Sequence, residues 1–274
     1  MRTKTFLLLC IAFITLFIGG SPLQAGHYYY KQISLKDGLP STVRCILTDK
    51  QGFVWIGTRS GLGRYDGHEL KKYIHQANNP HSIPHNLIYQ MIEDEQNNIW
   101  ILTDKGVTRY QRQSDDFFIP TDETGNNIIA YSTCLTDDVL FGSKNKIFFY
   151  NYQDTSLRLL QTFDLEPNYN VTLLNLWDKH TLLCCSRWQG LLLLDLNTGK
   201  CRRPPFDCGK EIMNVLIDSQ KRIWVAPYNG GLNCLTRDGK LLATYTTHNS
   251  SLSNNVILSL AEREGEIWIG TDGG

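Results

Sequence analysis

GFVWIGTRSGLGRYD, residues Gly52–Asp66, is the sequence from which the architecture follows. It divides into a strand over Phe53–Thr58, a tight polar turn at Arg59-Ser60-Gly61 and a second strand over Leu62–Asp66. Valine, isoleucine, tryptophan and tyrosine suit a pleated, half-buried surface, and glycine gives a hairpin turn the backbone freedom it needs. Ahead of it Val43–Thr48 reads as another strand, joined through Asp49-Lys50-Gln51-Gly52. Together these make a three-stranded meander, and Leu70–Tyr73 extends it to four.

The unit recurs. Laid beneath it without a gap, Ile99–Gln111 reads IWILTDKGVTRYQ and places Trp100 under Trp55, Gly106 under Gly61 and Tyr110 under Tyr65. Val139–Asn151 (VLFGSKNKIFFYN) keeps Gly142 and Tyr150 but has Leu140 for the tryptophan. Leu183–Asp195 (LCCSRWQGLLLLD) puts Cys184 in that place. Ile223–Leu235 is IWVAPYNGGLNCL and Ile267–Gly274 is IWIGTDGG. The key position thus falls at 55, 100, 140, 184, 224 and 268. That period is the one expected of four-stranded propeller blades, and a blade buries both its faces only by stacking on neighbours around an axis. The expected fold is all-β: an incomplete β-propeller of about five blades plus part of a sixth. The alternative is an ordinary all-β sandwich with accidental similarity, and the six aligned copies weigh against it.

The run WIGTRSGLGRYDG resembles the two-component regulator propeller repeat, as do the lead-in ISLKDGLPSTVRCILTDKQG (Ile33–Gly52) and the spacers NNPHSIPHNLIYQMIED (Asn78–Asp94) and HNSSLSNNVILSL (His248–Leu260). The resemblance spans the chain after residue 30. It implies the periplasmic sensor region of a hybrid two-component histidine kinase, best known from gut Bacteroidetes that sense glycans. It further implies that a membrane-anchored receptor, homodimeric at full length, carries the kinase. No phosphoacceptor or ATP-binding motif of a kinase is present in the sequence.

Residues 1–25 read as a secretory signal rather than fold. Arg2 and Lys4 give a basic start, Phe6–Ile18 is an apolar run, and Ala25 is a small residue suited to cleavage. The apolar run is shorter than the ~20 residues a spanning helix needs. Residues 26–274 are then the exported sensor domain, in the periplasm. Removal of the leader leaves 25 basic against 27 acidic residues, with no basic patch of the kind that binds nucleic acid. Of eight cysteines, seven follow Ala25. Most fall in strands as small hydrophobes, while Cys201 and Cys208, bracketing RRPPFD, are the best candidates for a disulfide in an oxidising compartment. The last copy halts within the turn after its second strand, so the chain reads as a piece of a longer protein. An early strand at Ile33–Leu35 resembles those that complete a final blade.

Nothing catalytic stands out. HExxH, GxSxG and P-loop patterns are missing, GLGRYDG has the wrong spacing for a dinucleotide fingerprint, and the acidic hairpins lack the alternation of a calcium loop. No metal or cofactor is implied. Turn chemistry accounts for Asp49, Glu95 and Asp218. Candidate ligand-binding residues come from the turns between second and third strands, which share a face with the inter-blade connections. They are Arg59, Asp104, Arg187, Trp188, Tyr228 and Asn229, with His81 from a connection. Rings flanked by amides, guanidinium groups and carboxylates suit a carbohydrate, whose C–H faces pack on aromatics and whose hydroxyls bond planar polar groups. The competing readings are ordinary solvated turns, a protein-binding scaffold, or a propeller enzyme such as a lyase or quinone-dependent dehydrogenase.

Overall fold

The computed structural model of the chain describes residues 42–163 and 169–272. The proposed leader and the Ile33–Leu35 strand lie outside them. Five four-stranded antiparallel sheets follow one another, each in simple meander order. The first comprises β1 (Val43–Thr48), β2 (Val54–Thr58), β3 (Leu62–Tyr65) and β4 (Leu70–Tyr73). The second has β5 (Ile88–Glu93), β6 (Ile99–Thr103), β7 (Gly106–Gln111) and β8 (Asp116–Phe118). The third has β9 (Ser132–Leu135), β10 (Val139–Ser143), β11 (Lys146–Asn151) and β12 (Ser156–Thr162). The fourth is β13 (Leu173–Asp178), β14 (Thr181–Ser186), β15 (Gly190–Asp195) and β16 (Cys201–Arg202). The fifth is β17 (Ile212–Ile217), β18 (Ile223–Pro227), β19 (Leu232–Leu235) and β20 (Leu241–Tyr245). A sixth sheet has two strands, β21 (Ile257–Arg263) and β22 (Glu266–Thr271). First strands touch in succession, β1 to β5 to β9 to β13 to β17 to β21, as in a propeller whose blades surround an axis.

Each sheet shares an apolar cluster with the next. Trp55, Leu62 and Tyr73 of the first pack on Ile88, Ile101 and Tyr110 of the second. Trp100 and Leu102 then pack on Phe141 and Tyr150 of the third. Trp55 and Trp100 are wholly buried, and each meets the third-strand tyrosine of the next blade edge-on, at ring distances of 4.7 and 4.5 Å.

A buried aspartate fixes the hairpin between first and second strands in the first, second and fifth sheets. In the first, Asp49 accepts the indole N–H of Trp55 at 2.9 Å on one carboxylate oxygen and the backbone N–H of Phe53 at 2.9 Å on the other. Asp94 holds Trp100 (2.7 Å) and the N–H of Asn98 (2.8 Å). Asp218 holds Trp224 (2.9 Å) and the N–H of Arg222 (2.8 Å). In the second copy it is therefore Asp94, not Glu95, that organises the turn. These aspartates do more than close a turn: they give the indole N–H its partner inside the core. Burial pushes the Asp49 and Asp218 carboxyls up, yet the hydrogen bonds from tryptophan, backbone and arginine outweigh it and hold both below the usual carboxylate range.

The fourth copy departs from the gap-free alignment. Between its last paired residues, Ser186 and Gly190, lie three residues, Arg187–Gln189, whereas two lie between the bonded residues Thr58 and Gly61, Thr103 and Gly106, and Ser143 and Lys146 of the first three sheets. The extra residue slides the register by one. Leu183, not Cys184, faces the fifth sheet as the tryptophans face their next neighbours, and Cys184 turns back towards the third. Cys201 packs in the cluster between third and fourth sheets and Cys208 in that between fourth and fifth, so the suggested pair sits in different cores.

Candidate functional site

The face in question forms where each first strand begins. Backbone bonds tie the turn between second and third strands to the residue just ahead of the first strand. Arg59 N–H donates to the Thr42 carbonyl, Asp104 to Leu87, Tyr228 to Glu211 and Asp272 to Val256, at 2.8–3.3 Å. Arg59, Asp104, Arg187, Trp188, Tyr228 and Asn229 therefore do lie at one end of the molecule.

Two of these turns are longer than the rest, and they are neighbours. The fourth sheet's turn contains Trp188, and the fifth's runs through Tyr228, Asn229 and Gly230 to Gly231. The dipeptide Glu211–Ile212 links them: Ile212 N–H donates to the Arg187 carbonyl (3.1 Å) and Tyr228 N–H to the Glu211 carbonyl (2.8 Å). The lengthened turns carry their aromatic rings outwards, Trp188 at 62% exposure and Tyr228 at 54%. The Arg187 guanidinium lies 5.2 Å from the centre of the Trp188 ring, a cation–π distance. Since neither ring supports the core, their exposure leaves two apolar faces available beside a guanidinium, a carboxylate and the Asn229 amide.

The first strands also shape the rim. In the first, second, fifth and sixth sheets the pairing of first with second strand skips a residue, at Arg44, Tyr89, Met213 and Leu258 respectively. Such bulges re-aim side chains. The Tyr89 hydroxyl donates to the Asp104 carboxylate at 2.5 Å, the Arg44 guanidinium sits 5.7 Å from its ring centre, and the Tyr131 ring lies 5.7 Å away. Burial and the neighbouring carboxylate push the Tyr89 phenol up to about 12, so it remains a donor at physiological pH. Arg44, Tyr89, Tyr131 and Glu211 escape a reading of turn sequences alone. Arg44 and Tyr89 sit at bulges, which have no composition signal of their own, and Tyr131 and Glu211 stand one residue ahead of β9 and β17.

His81 is not part of this arrangement. Its connection runs against the outer strand of the second sheet, where its carbonyl accepts the Phe117 N–H (3.0 Å) and its ring nitrogen lies 3.4 Å from Asp116. The reason is backbone pairing: β8 is an outer strand, and the connection supplies it with a partner. The third sheet repeats the device, with Leu157 N–H donating to Thr121. Among the described residues no group of histidine, cysteine and acidic side chains has metal-binding geometry.

Comparison with known proteins gives the following. The pattern of the family described as two component regulator propeller matches residues 37–60, 82–105 and 251–273. A 58-residue stretch is 43% identical to histidine kinase P4 of Formosa agariphila, covering 21% of this chain and 4% of that protein. In three dimensions the chain is similar to the extracellular domain of the hybrid two component system BT3049 from B. thetaiotaomicron, with a TM-score of 0.69 and 19% identity over 88% of this chain and 34% of that one. The extracellular domain of the one component system BT4673 from the same organism gives a TM-score of 0.69, 19% identity, and coverage of 88% and 36%. The chain spans about a third of the length of these solved structures. At such identity they speak to the fold, whereas the matched segments coincide with the first two strands of the first, second and sixth sheets. On those matches, three Trp-bearing hairpin segments of the chain are similar to the two component regulator propeller repeat.

Proposed function

We propose that this chain is the ligand-sensing region of a hybrid two-component sensor histidine kinase, exported to the periplasm by its first 25 residues, and that it recognises an oligosaccharide. The carrying observation is the pair of lengthened, adjacent turns that expose Trp188 and Tyr228 beside Arg187, Glu211 and Asn229. Sugar rings stack on such faces while planar polar groups bond their hydroxyls. In this reading the region binds without transforming its ligand. It passes the event to a kinase carried by the rest of a membrane-anchored, homodimeric receptor, through different affinity for two receptor states. The relationship to histidine kinase P4 and to extracellular domains of two component systems supports this assignment.

The test is a thermal melt of the chain against a panel of plant and host oligosaccharides. One saccharide class should raise the midpoint, by mass action on the folded state, and Trp188→Ala should abolish the rise without lowering the unliganded midpoint, because the ring is exposed. A panel with no effect on the midpoint would overturn the oligosaccharide reading.

A further inference from the structure

The chain has no formal net charge, yet its charges are sorted along the axis. The turns between second and third strands contain the cations Arg59, Lys105, Lys144 and Arg187 against the acids Asp104 and Asp272. One of those acids, Asp104, is already engaged by the Tyr89 hydroxyl. The hairpins between first and second strands, at the opposite end, reverse the balance. Counted from the last residue of each first strand to the first residue of each second strand, they hold ten carboxylates against five cations. The same end that exposes Trp188 and Tyr228 is thus the cationic end. Arg44 and Lys210, at the starts of first strands, add to it, and Asp207 and Glu211 are acids set against them. Carboxylates at the far end, Asp49, Asp94 and Asp218 among them, are consumed by the structural bonds to tryptophan. The cations at the end bearing the aromatic pair have fewer such duties: Arg59, Lys105, Lys144, Arg187 and Lys210 are all exposed residues.

We infer that the oligosaccharide carries negative charge, as carboxylate or sulfate groups on its rings, and that Arg187 and Lys210 meet those groups while Trp188 and Tyr228 hold the sugar faces. The inference rests on the oligosaccharide reading above and narrows it. A guanidinium beside an indole face matches a ring that is apolar on its C–H side and anionic at its edge, since arginine presents a planar fork to carboxylate or sulfate oxygens. A cationic rim also draws an anionic ligand towards the axis, an effect that salt screens with a length of about 10 Å at 0.1 M. The Gly190–Gly209 approach brings Lys210 to this corner: an added Cβ on Gly190 would lie 2.8 Å from the Gly209 carbonyl and 3.6 Å from the Lys210 Cα.

Calorimetric titration of the chain decides the matter, with three probes. Trigalacturonic acid supplies carboxylates, a κ-carrageenan tetrasaccharide supplies sulfates, and the fully methyl-esterified trigalacturonate supplies the first ligand's shape without its charge. At least one of the two anionic probes should bind roughly tenfold or more tightly than the neutral ester, a gap of about 1.4 kcal/mol, and should weaken as salt is raised. Whichever anion binds identifies the source of the charge. Arg187→Gln should lower its affinity roughly tenfold at an unchanged melting midpoint, and Trp188→Ala should lower affinity for charged and neutral probes alike. Equal binding of the ester and the acid would overturn the anionic inference and leave the oligosaccharide reading standing. Anion binding indifferent to both substitutions would overturn the placement. Failure of all three probes, while a neutral glycan of the wider panel raises the midpoint, would reject the charge requirement, and failure of every glycan would reject both readings.

Discussion

The aspartate–tryptophan clasp shows how one residue type can have two environments in the same repeat. Trp55, Trp100 and Trp224 occupy the core with their N–H groups bonded to a buried carboxylate, while Trp268, at the equivalent place of the sixth sheet, is 48% exposed and its hairpin has Arg263 in the aspartate's position. Phenylalanine keeps most of the apolar bulk but has no N–H to give. In Trp100→Phe the Asp94 carboxylate loses a charge-assisted bond inside the protein, which costs about 1.5–3 kcal/mol. That corresponds to a fall in melting midpoint of several degrees, at about 2–4 °C per kcal/mol for a chain of this size. Trp268→Phe, on the half-exposed site, should stay within about 0.5 kcal/mol. Matched denaturant titrations of the two variants check this; equal losses would show that ring packing, not the clasp, sets the cost.

Between elements, a polar junction centred on Asp115 joins the first and second sheets. Asp115, in the turn from β7 to β8, accepts the hydroxyls of Tyr73 and Tyr110, each at 2.6 Å, and pairs with Arg64 at 3.2 Å and with Lys71. Arg112 reaches back from the second sheet to Asp49 at 3.0 Å, and Tyr152 from the third to Asp94 at 2.5 Å. Burial pushes the Asp115 carboxyl up, but the bonds from Lys71, Tyr110 and Tyr73 and the Arg64 charge outweigh it and hold it at about 2. An acid whose folded value lies below its unfolded one, about 3.9 for aspartate, contributes stability above the unfolded value and loses it as the proton returns. Acidification from about pH 5 to pH 2 should therefore weaken this junction. Asp115→Asn should be less stable at neutral pH and should lose less on acidification; parallel acid slopes for variant and parent would refute the assignment. Much of this organisation was legible beforehand. Strand limits such as Val43–Thr48 and Leu70–Tyr73 follow from alternation and turn residues, because one face of each strand is buried and the other is not. The Tyr73–Asp115 bonds were not legible, since they join positions 42 residues apart whose side chains look like solvated turn and strand residues. Nor was the slip in the fourth copy. The run Leu182–Cys185, LLCC, is apolar at every position, so nothing in its pattern marks which side chain faces which neighbour.

At the scale of the whole molecule, the sheets differ in what joins them. The first, second and fifth have the clasp, whereas the third and fourth have Leu140 and Leu183 in the tryptophan's place and meet through an apolar cluster of Leu140, Val171, Leu182 and Leu194 with Cys134 and Cys184. The clasp spans six residues and closes within one hairpin, so it can set register before any neighbour arrives. Short-range contacts form first because little chain entropy is lost in closing them. Repeats without such a contact depend on the surfaces beside them. We expect the clasped first, second and fifth sheets to form early and the third and fourth to be templated between them. In native-state hydrogen exchange, the second strands β10 and β14 should open at lower free energy than β2, β6 and β18; uniform protection across the five would mean that the array folds as one unit. The repeats that have drifted furthest from the shared sequence are then also the ones a growing chain settles last.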